Sequence, residues 1–276
     1  MNNSLDRSNH NRASIWKLST LPYLAFILIP IIALLLGASP SEILLNLKNE
    51  QIHQAIQLSL VTTVATVLLT IIFGTPVAYY LSHPHYRLHG LVDTLVDLPT
   101  VLPPAVAGVA LLMAFGRRGL IGSLFLPLGV EIPFTPVAVV MAQMFIAAPL
   151  YIKTAAVGFT NIDCELRKAA ALDGANRWQT FRYIMVPIGV NSLLTGLALT
   201  WARALGEFGA TLIFAGNFPG RTQTMPLAIY IGFEIDLNIA LTLAVILIGI
   251  SFIILILLKI VLIQRQKDLR ITEVDW

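Results

Sequence analysis

Residues 134–158 read FTPVAVVMAQMFIAAPLYIKTAAVG, and residues 160–187 read TNIDCELRKAAALDGANRWQTFRYIMVP. The first stretch carries Lys153 as its only charge, whereas the second mixes acidic and basic residues throughout. A helix rises about 1.5 Å per residue and a bilayer core needs roughly 20 mostly apolar residues, so the first stretch can span a membrane and the second cannot. The pairing of a spanning run with a charged loop sets the fold class, an all-α integral membrane protein, because only helices and closed barrels satisfy their backbone polar groups in lipid.

Working outward, six runs qualify as spans: 18–37, 55–81, 95–115, 134–158, 188–214 and 239–263. The fifth is interrupted by Arg203 and Glu207. The organisation is therefore an N-terminal tail over 1–17, a six-helix domain over 18–263 containing the loop 160–187, and a C-terminal tail over 264–276. The first run also resembles a signal peptide, with Arg7, Arg12 and Lys17 before it and Gly37, Ala38 and Ser39 after it. Its apolar run exceeds the usual signal core, which favours an uncleaved first helix.

Composition agrees. The chain is 276 residues long, 57% hydrophobic and only 12% charged, about half the charged fraction of a soluble domain. The formal net charge of +3 does not indicate nucleic acid, because the basic residues are dispersed among apolar stretches. They divide instead between alternate loops. One set holds Arg7, Arg12, Lys17, Arg87, Lys153, Arg167, Lys168, Arg177, Arg182, Lys259, Arg265, Lys267 and Arg270, and the other only Lys48, Arg117, Arg118 and Arg221. By the positive-inside rule both termini and the loop 160–187 are cytoplasmic. A lone Cys164 excludes an intrachain disulfide. His83, His85 and His89 read as interfacial histidines rather than a metal site, and no cofactor is expected.

Prolines mark departures from regular helix. Pro99, Pro103 and Pro104 fall early in the third span, where missing N–H donors kink or loosen a helix; a static kink and a moving gate both fit. Arg203 and Glu207 lie four residues apart and are expected to share a helix face, as a structural pair or as part of a pathway for an anion. The following polar run contains Thr222 and Thr224 and reads as the outer mouth or as a turn-rich external loop. Arg117 and Arg118 can draw anions to the outer side or anchor headgroups.

The loop 160–187 reads as two short helices. Thr160 with Asp163 resembles a capping box, Gly174 supplies a left-handed stop, Asn176 with Gln179 starts the second helix and Pro187 ends it. Trp178, Phe181 and Met185 share a face, suited to lipid headgroups or to a partner protein.

Ala169, Ala170, Gly174, Ile184 and Pro187 reproduce the spacing of the EAA loop of ABC-importer permeases. Lys168 stands where that motif has glutamate, and Val186 where it has leucine; Glu165 is the nearby acid. The resemblance implies the ABC importer permease fold, with Ala169, Ala170, Gly174, Trp178, Phe181 and Pro187 in a loop that couples to a cytoplasmic ATPase. The run ARALGEFGATLIFAGNFPGRTQTMPLAIY, residues 202–230, resembles the fifth-span signature of molybdate permeases, with sulfate permeases as near relatives. It implies a homodimer, cytoplasmic ABC ATPase subunits, an extracytoplasmic molybdate-binding protein, and residence among the lipids of a bacterial inner membrane; Pro103, Arg203, Glu207, Thr222 and Thr224, read from the residues themselves, are the candidates for its translocation path or gate. Tungstate or sulfate are the alternative cargoes. No segment fits G-x-x-x-x-G-K-[ST], so the chain is not expected to be an enzyme and ATP hydrolysis is expected on another subunit. An ion-coupled secondary transporter would need buried acids, and only Asp97 and Glu207 fall inside the predicted spans. A membrane enzyme would need a convergent catalytic set, which the sequence lacks.

Overall fold

Asn49 opens the second predicted span by accepting the N–H of Gln51 at 2.9 Å, and Thr135 opens the fourth by accepting that of Ala138 at 3.3 Å. Short polar residues at these positions satisfy N–H groups that have no partner within the helix. The computed structural model describes the backbone of residues 3–272 and the side chains of residues 20–264. Its helices are α1 (Asn3–Gly37), α2 (Pro40–Asn46), α3 (Glu50–Leu81), α4 (His89–Val101), α5 (Pro104–Phe115), α6 (Gly122–Phe125), α7 (Pro136–Thr160), α8 (Cys164–Leu172), α9 (Arg177–Thr180), α10 (Val186–Leu205), α11 (Gly209–Phe214), α12 (Met225–Ile235) and α13 (Leu237–Thr272). Among the described residues, five helical stretches are long and apolar enough to cross a membrane, and the bent pair α4–α5 makes a sixth. The side chains of the terminal basic residues Arg7, Arg12, Lys17, Arg265, Lys267 and Arg270 lie outside the described residues.

Two spans depart from expectation. The third is not one helix: α4 and α5 meet at 116°. Pro103 and Pro104 lack donors, and each forces the residue before it towards extended backbone; Leu102 and Pro103 accordingly adopt ψ of 134° and 135°. The fifth neither starts nor stops where predicted. Its helix runs from Arg177 to Leu205, so Pro187 does not end the second loop helix. A π-helical turn over Phe181–Met185 precedes the proline, with the Val186 N–H donating to the Phe181 carbonyl. The widened turn absorbs the missing donor, and the helix continues.

Helix α7 lies at the centre, packed on α3, α10, α4, α5 and α11. Small residues let its neighbours approach, as packing between helices in lipid requires. A Cβ at Gly158 would sit 2.3 Å from Ser192 Cβ, and one at Gly196 would sit 3.1 Å from the Tyr151 Cα. Buried apolar clusters gather around Tyr151, Phe159 and Met185 at one end of α7, and around Val139, Ala142 and Phe214 towards the other. The apolar part of α1, by contrast, is wholly unburied within the chain.

Candidate functional site

Helix α10 ends at Leu205, with Gly206 as its cap. Glu207 therefore lies beyond the helix that was expected to carry it beside Arg203. The two still pair: Arg203 Nη1 donates to Glu207 Oε2 at 2.7 Å. The carboxylate is 1% exposed, against 36% for the arginine side chain. Its second oxygen accepts the N–H of Ala210 at 2.9 Å, in the first turn of α11. Glu207 thus joins the end of one helix to the start of the next, because a buried carboxylate needs its lone pairs occupied and an uncapped helix start supplies donors.

This break meets the other one. A Cβ on Gly209 would lie 2.8 Å from Pro104 Cβ, and one on Gly108 would lie 2.8 Å from Ile213 Cβ and 2.9 Å from the Ala210 carbonyl. The α4–α5 elbow and the α10–α11 break are therefore in direct contact through glycines. Two interrupted helices meeting inside a bundle, with an ion pair at the meeting point, form the kind of discontinuity that membrane transporters use to handle ions.

A buried polar seam runs along α3 where it packs on α7 and α12. Ser59, Thr62, Thr63, Thr66 and Thr70 of α3 are each 1% exposed or less. Thr66 Oγ1 donates to Gln143 Oε1 of α7 at 3.0 Å, and Ser59 Oγ accepts the N–H of Met225 at 2.7 Å. This stripe was missed in reading the sequence, although its three- and four-residue spacing inside an apolar run was a visible signal. The loop of the 215–230 run is exposed only at its turn, residues 218–221. Thr222, Gln223 and Thr224 are buried; Thr222 Oγ1 accepts the N–H of Phe218 at 3.1 Å, and Gln51 Nε2 donates to Gln223 Oε1 at 2.9 Å. Three successive N–H groups, of Arg221, Thr222 and Gln223, converge on the Phe218 carbonyl, whereas the buried Asn217 Oδ1 and Thr224 Oγ1 have no hydrogen-bond partner among the described residues.

Asp97 is not a free acid. Lys153 Nζ contacts Asp93 Oδ1 at 2.6 Å and Asp97 Oδ2 at 2.8 Å, tying α4 to α7. Asp93 and Asp97, four apart, share a helix face, but Lys153 read only as a topology signal because nothing local links residues 60 apart. Arg117 is engaged by Glu131 at 2.7 Å, which leaves Arg118 as the freer charge there. His83 Nδ1 lies 2.9 Å from the Tyr79 carbonyl and His89 Nε2 lies 2.9 Å from that of Leu81; among the described residues no group of three metal-ligating side chains is found.

At the opposite end, the loop folds into two helices separated by a turn. The first is capped by Asp163, which accepts the Glu165 N–H at 2.9 Å, and not by Thr160, whose hydroxyl donates to the Ala156 carbonyl of its own helix. Gly174 has φ of +84°, a conformation that costs a side-chain-bearing residue about 1–2 kcal/mol. Asn176 and Gln179 form a reciprocal capping box, at 2.9 and 2.8 Å. Ala170 is buried and Ala169 exposed. The predicted aromatic face is graded: Trp178 is 65% exposed, Met185 is buried, and half-buried Phe181 stacks edge-on against Tyr79 of α3 and Phe159 of α7. Phe181 therefore anchors the loop to the bundle, while Leu172, 89% exposed, is its most exposed large apolar side chain. Lys168 pairs with Glu165 at 2.8 Å. That hydrogen bond holds the ammonium pKa above its ordinary value, so Lys168 stays cationic at neutral pH.

The family of binding-protein-dependent transport system inner membrane components matches residues 70–268. The transport system permease NifC of Clostridium pasteurianum is 37% identical over 239 residues, covering 86% of this chain and 84% of its own. YvgM of Bacillus subtilis, named as a molybdenum transport system permease, is 41% identical over 70% of this chain and 86% of its own. A sulfate transport system permease of Chlorokybus atmophyticus is 35% identical, covering 83% and 82%. In fold, a chain of the bacterial alginate ABC transporter crystallised with its periplasmic protein superimposes with a TM-score of 0.71 at 17% identity, over 91% of this chain and 94% of that one.

Proposed function

Because the chain belongs to the family of binding-protein-dependent transport system inner membrane components, we propose that it is the permease subunit of an ATP-driven importer whose cargo is molybdate, with tungstate accepted as its near isostere. The observation that carries the cargo is the 41% identity to a permease named for molybdenum. Sulfate is the second reading, favoured by the 35% identity to a sulfate permease.

Two copies form the path, each docked on a cytoplasmic ATPase, and an external binding protein delivers the anion. The division of Lys and Arg between loops supports cytoplasmic termini. Ala169, Trp178 and Leu172 offer exposed contact to the ATPase, while Ala170, Gly174, Phe181 and Pro187 set the loop's direction. The continuous helix Arg177–Leu205, 29 residues and so about 43 Å long, joins this loop to the Arg203–Glu207 junction. ATP-driven closure of the ATPases displaces the loops, and that lever transmits the displacement to the place where α10 breaks against α5 and α11. There Arg203 offers positive potential to an oxyanion, with Pro103 at the elbow of the facing helix. Glu207 partly neutralises the guanidinium, so the anion is attracted without being trapped, as conduction requires. Thr222 and Thr224, both buried, lie beneath the exposed turn, residues 218–221, that forms the outer mouth.

Reconstitution with the ATPase and binding protein tests the cargo. Molybdate uptake should persist under excess sulfate, and equal competition by sulfate would replace molybdate with sulfate in this assignment. Crosslinking from Leu172→Cys in a Cys164→Ser background tests the docking, because Cys164 is itself exposed. Failure to crosslink the ATPase would remove the loop from the interface.

A further inference from the structure

A cleft of about 390 Å³ lies at the end of α3 beside the coupling loop, lined by Tyr79, His83, His85, Tyr86, Arg167 and Arg177 among others. Its lining contains two guanidinium groups, two imidazoles and no carboxylate. Arg167 Nη1 approaches His83 Nε2 at 3.4 Å, and its Nε is buried without a partner. Neither arginine has an ion-pair partner among the described residues. A positive, uncompensated cleft of this kind favours a group with several acceptor oxygens and negative charge.

A second groove, about 510 Å³, adjoins it and shares Tyr79, Tyr86 and Arg177; the rest of its wall includes Ile71, Ile72, Pro76 and Trp178. The pair thus presents a cationic compartment and an apolar one with Arg177 on their common rim. A free oxyanion would use only the first, whereas a phospholipid would use both. Ile72 is 61% exposed and belongs to a membrane-spanning helix, so the groove opens where acyl chains are available. We infer that this double cleft binds one anionic phospholipid, its headgroup phosphate between Arg167 and Arg177 and an acyl chain along Ile72 and Pro76. The lipid then sits between α3 and the root of the coupling loop and braces the loop's position. Its assignment to the cytoplasmic leaflet rests on the orientation proposed above; the binding itself does not depend on cargo.

The test uses the permease assembled with its ATPase in nanodiscs of phosphatidylcholine, with and without phosphatidylglycerol, and native mass spectrometry to count retained phosphatidylglycerol. The unmodified complex should retain it selectively. One basic residue near an anionic headgroup contributes about 1 kcal/mol, or roughly five-fold in occupancy, so Arg177→Gln should lower retention by that factor. Ile72→Ser, which leaves the charge intact, should also lower it. Arg182→Gln should not, because Arg182 lies over the Tyr183 ring at 5.9 Å and lines neither compartment. Inorganic phosphate should fail to displace the lipid. Equal loss in Arg182→Gln would reduce the effect to diffuse surface attraction, displacement by phosphate would make this a free-anion site, and absence of selective retention in the unmodified complex would leave no lipid site; each overturns the inference. None of these outcomes alters molybdate uptake specificity, so a failure here is distinguishable from a failure of the importer reading.

Discussion

The turn around Gly174 and the junction around Glu207 are both breaks between helices, yet they are held by different means. At the turn the hydrogen bonds that set the backbone are local: Asp163 caps its own helix, the Ala175 N–H reaches the Ala170 carbonyl at 2.9 Å, and Asn176 and Gln179 cap each other. A Cβ at Gly174 would meet nothing within 4 Å, so only its backbone angle restricts that position. At the junction the contacts come from elsewhere in the chain. Pro104, Gly108 and Ile213 crowd the break, and a wholly buried carboxylate depends on Arg203 and on α11. An exposed loop can tolerate sequence change while its turn survives; a buried junction can be disturbed from several helices at once.

That contrast ranks the expected mutational effects. Arg203→Ala should be the most severe, because it strands Glu207 as an unpaired buried carboxylate at a cost of about 3–5 kcal/mol. Glu207→Gln, which leaves the half-exposed arginine access to water and keeps a side-chain acceptor for Ala210, should cost less. Thermal unfolding of the purified permease measures both, and an equal loss would break the claimed asymmetry of burial.

Gly209→Val comes next. Its new side chain enters the space of Pro104, and overpacking typically costs about 1–3 kcal/mol. Transport should fall while the Leu172→Cys crosslink to the ATPase persists, since the loop is untouched. Loss of the crosslink as well would show that the two regions are not separable.

Gly174→Val should cost about 1–2 kcal/mol through the left-handed conformation alone, leaving insertion intact and lowering ATPase association. Gly174→Asn, with a residue that enters this region more readily, should retain most of it. Similar defects in both would mean that something other than backbone angle limits this position. Asn176→Ala is the mildest, about 1 kcal/mol for a lost cap, read as a modest rise in hydrogen exchange over residues 177–180 with transport largely preserved. An effect on transport as large as that of Gly209→Val would refute the ranking.

The two regions also differ in how far the sequence foretold them. Gly174 with Asn176 and Gln179 was legible because turn and cap chemistry acts over three or four residues. The membrane spans were legible from length and apolarity, and Pro103–Pro104 announced a break because proline removes a donor whatever surrounds it. The size of that break, 116°, was not legible, nor was the continuation of α9 through Pro187 into α10, which a π-helical turn permits. Glu207 read as a partner of Arg203 across one helical turn because i, i+4 spacing implies it; the pair forms, but the helix ends first and the carboxylate also caps α11.

In water, an apolar stripe identifies the face that a helix buries. In lipid it does not, because the surrounding solvent is as apolar as the core. Helix α3 exposes Val61, Leu68, Ile72 and Phe73 and buries Ser59, Thr62, Thr66 and Thr70, the reverse of a soluble helix. The sequence by itself therefore determined which segments cross the membrane, where the loop turns and that Pro103–Pro104 interrupt the third span. Tertiary structure alone decided which faces meet, that Lys153 joins Asp93 and Asp97, and that Thr222 and Thr224 lie inside, because polar groups in a bundle are satisfied by partners distant in the chain and hydrophobicity carries no signal of which partners those are.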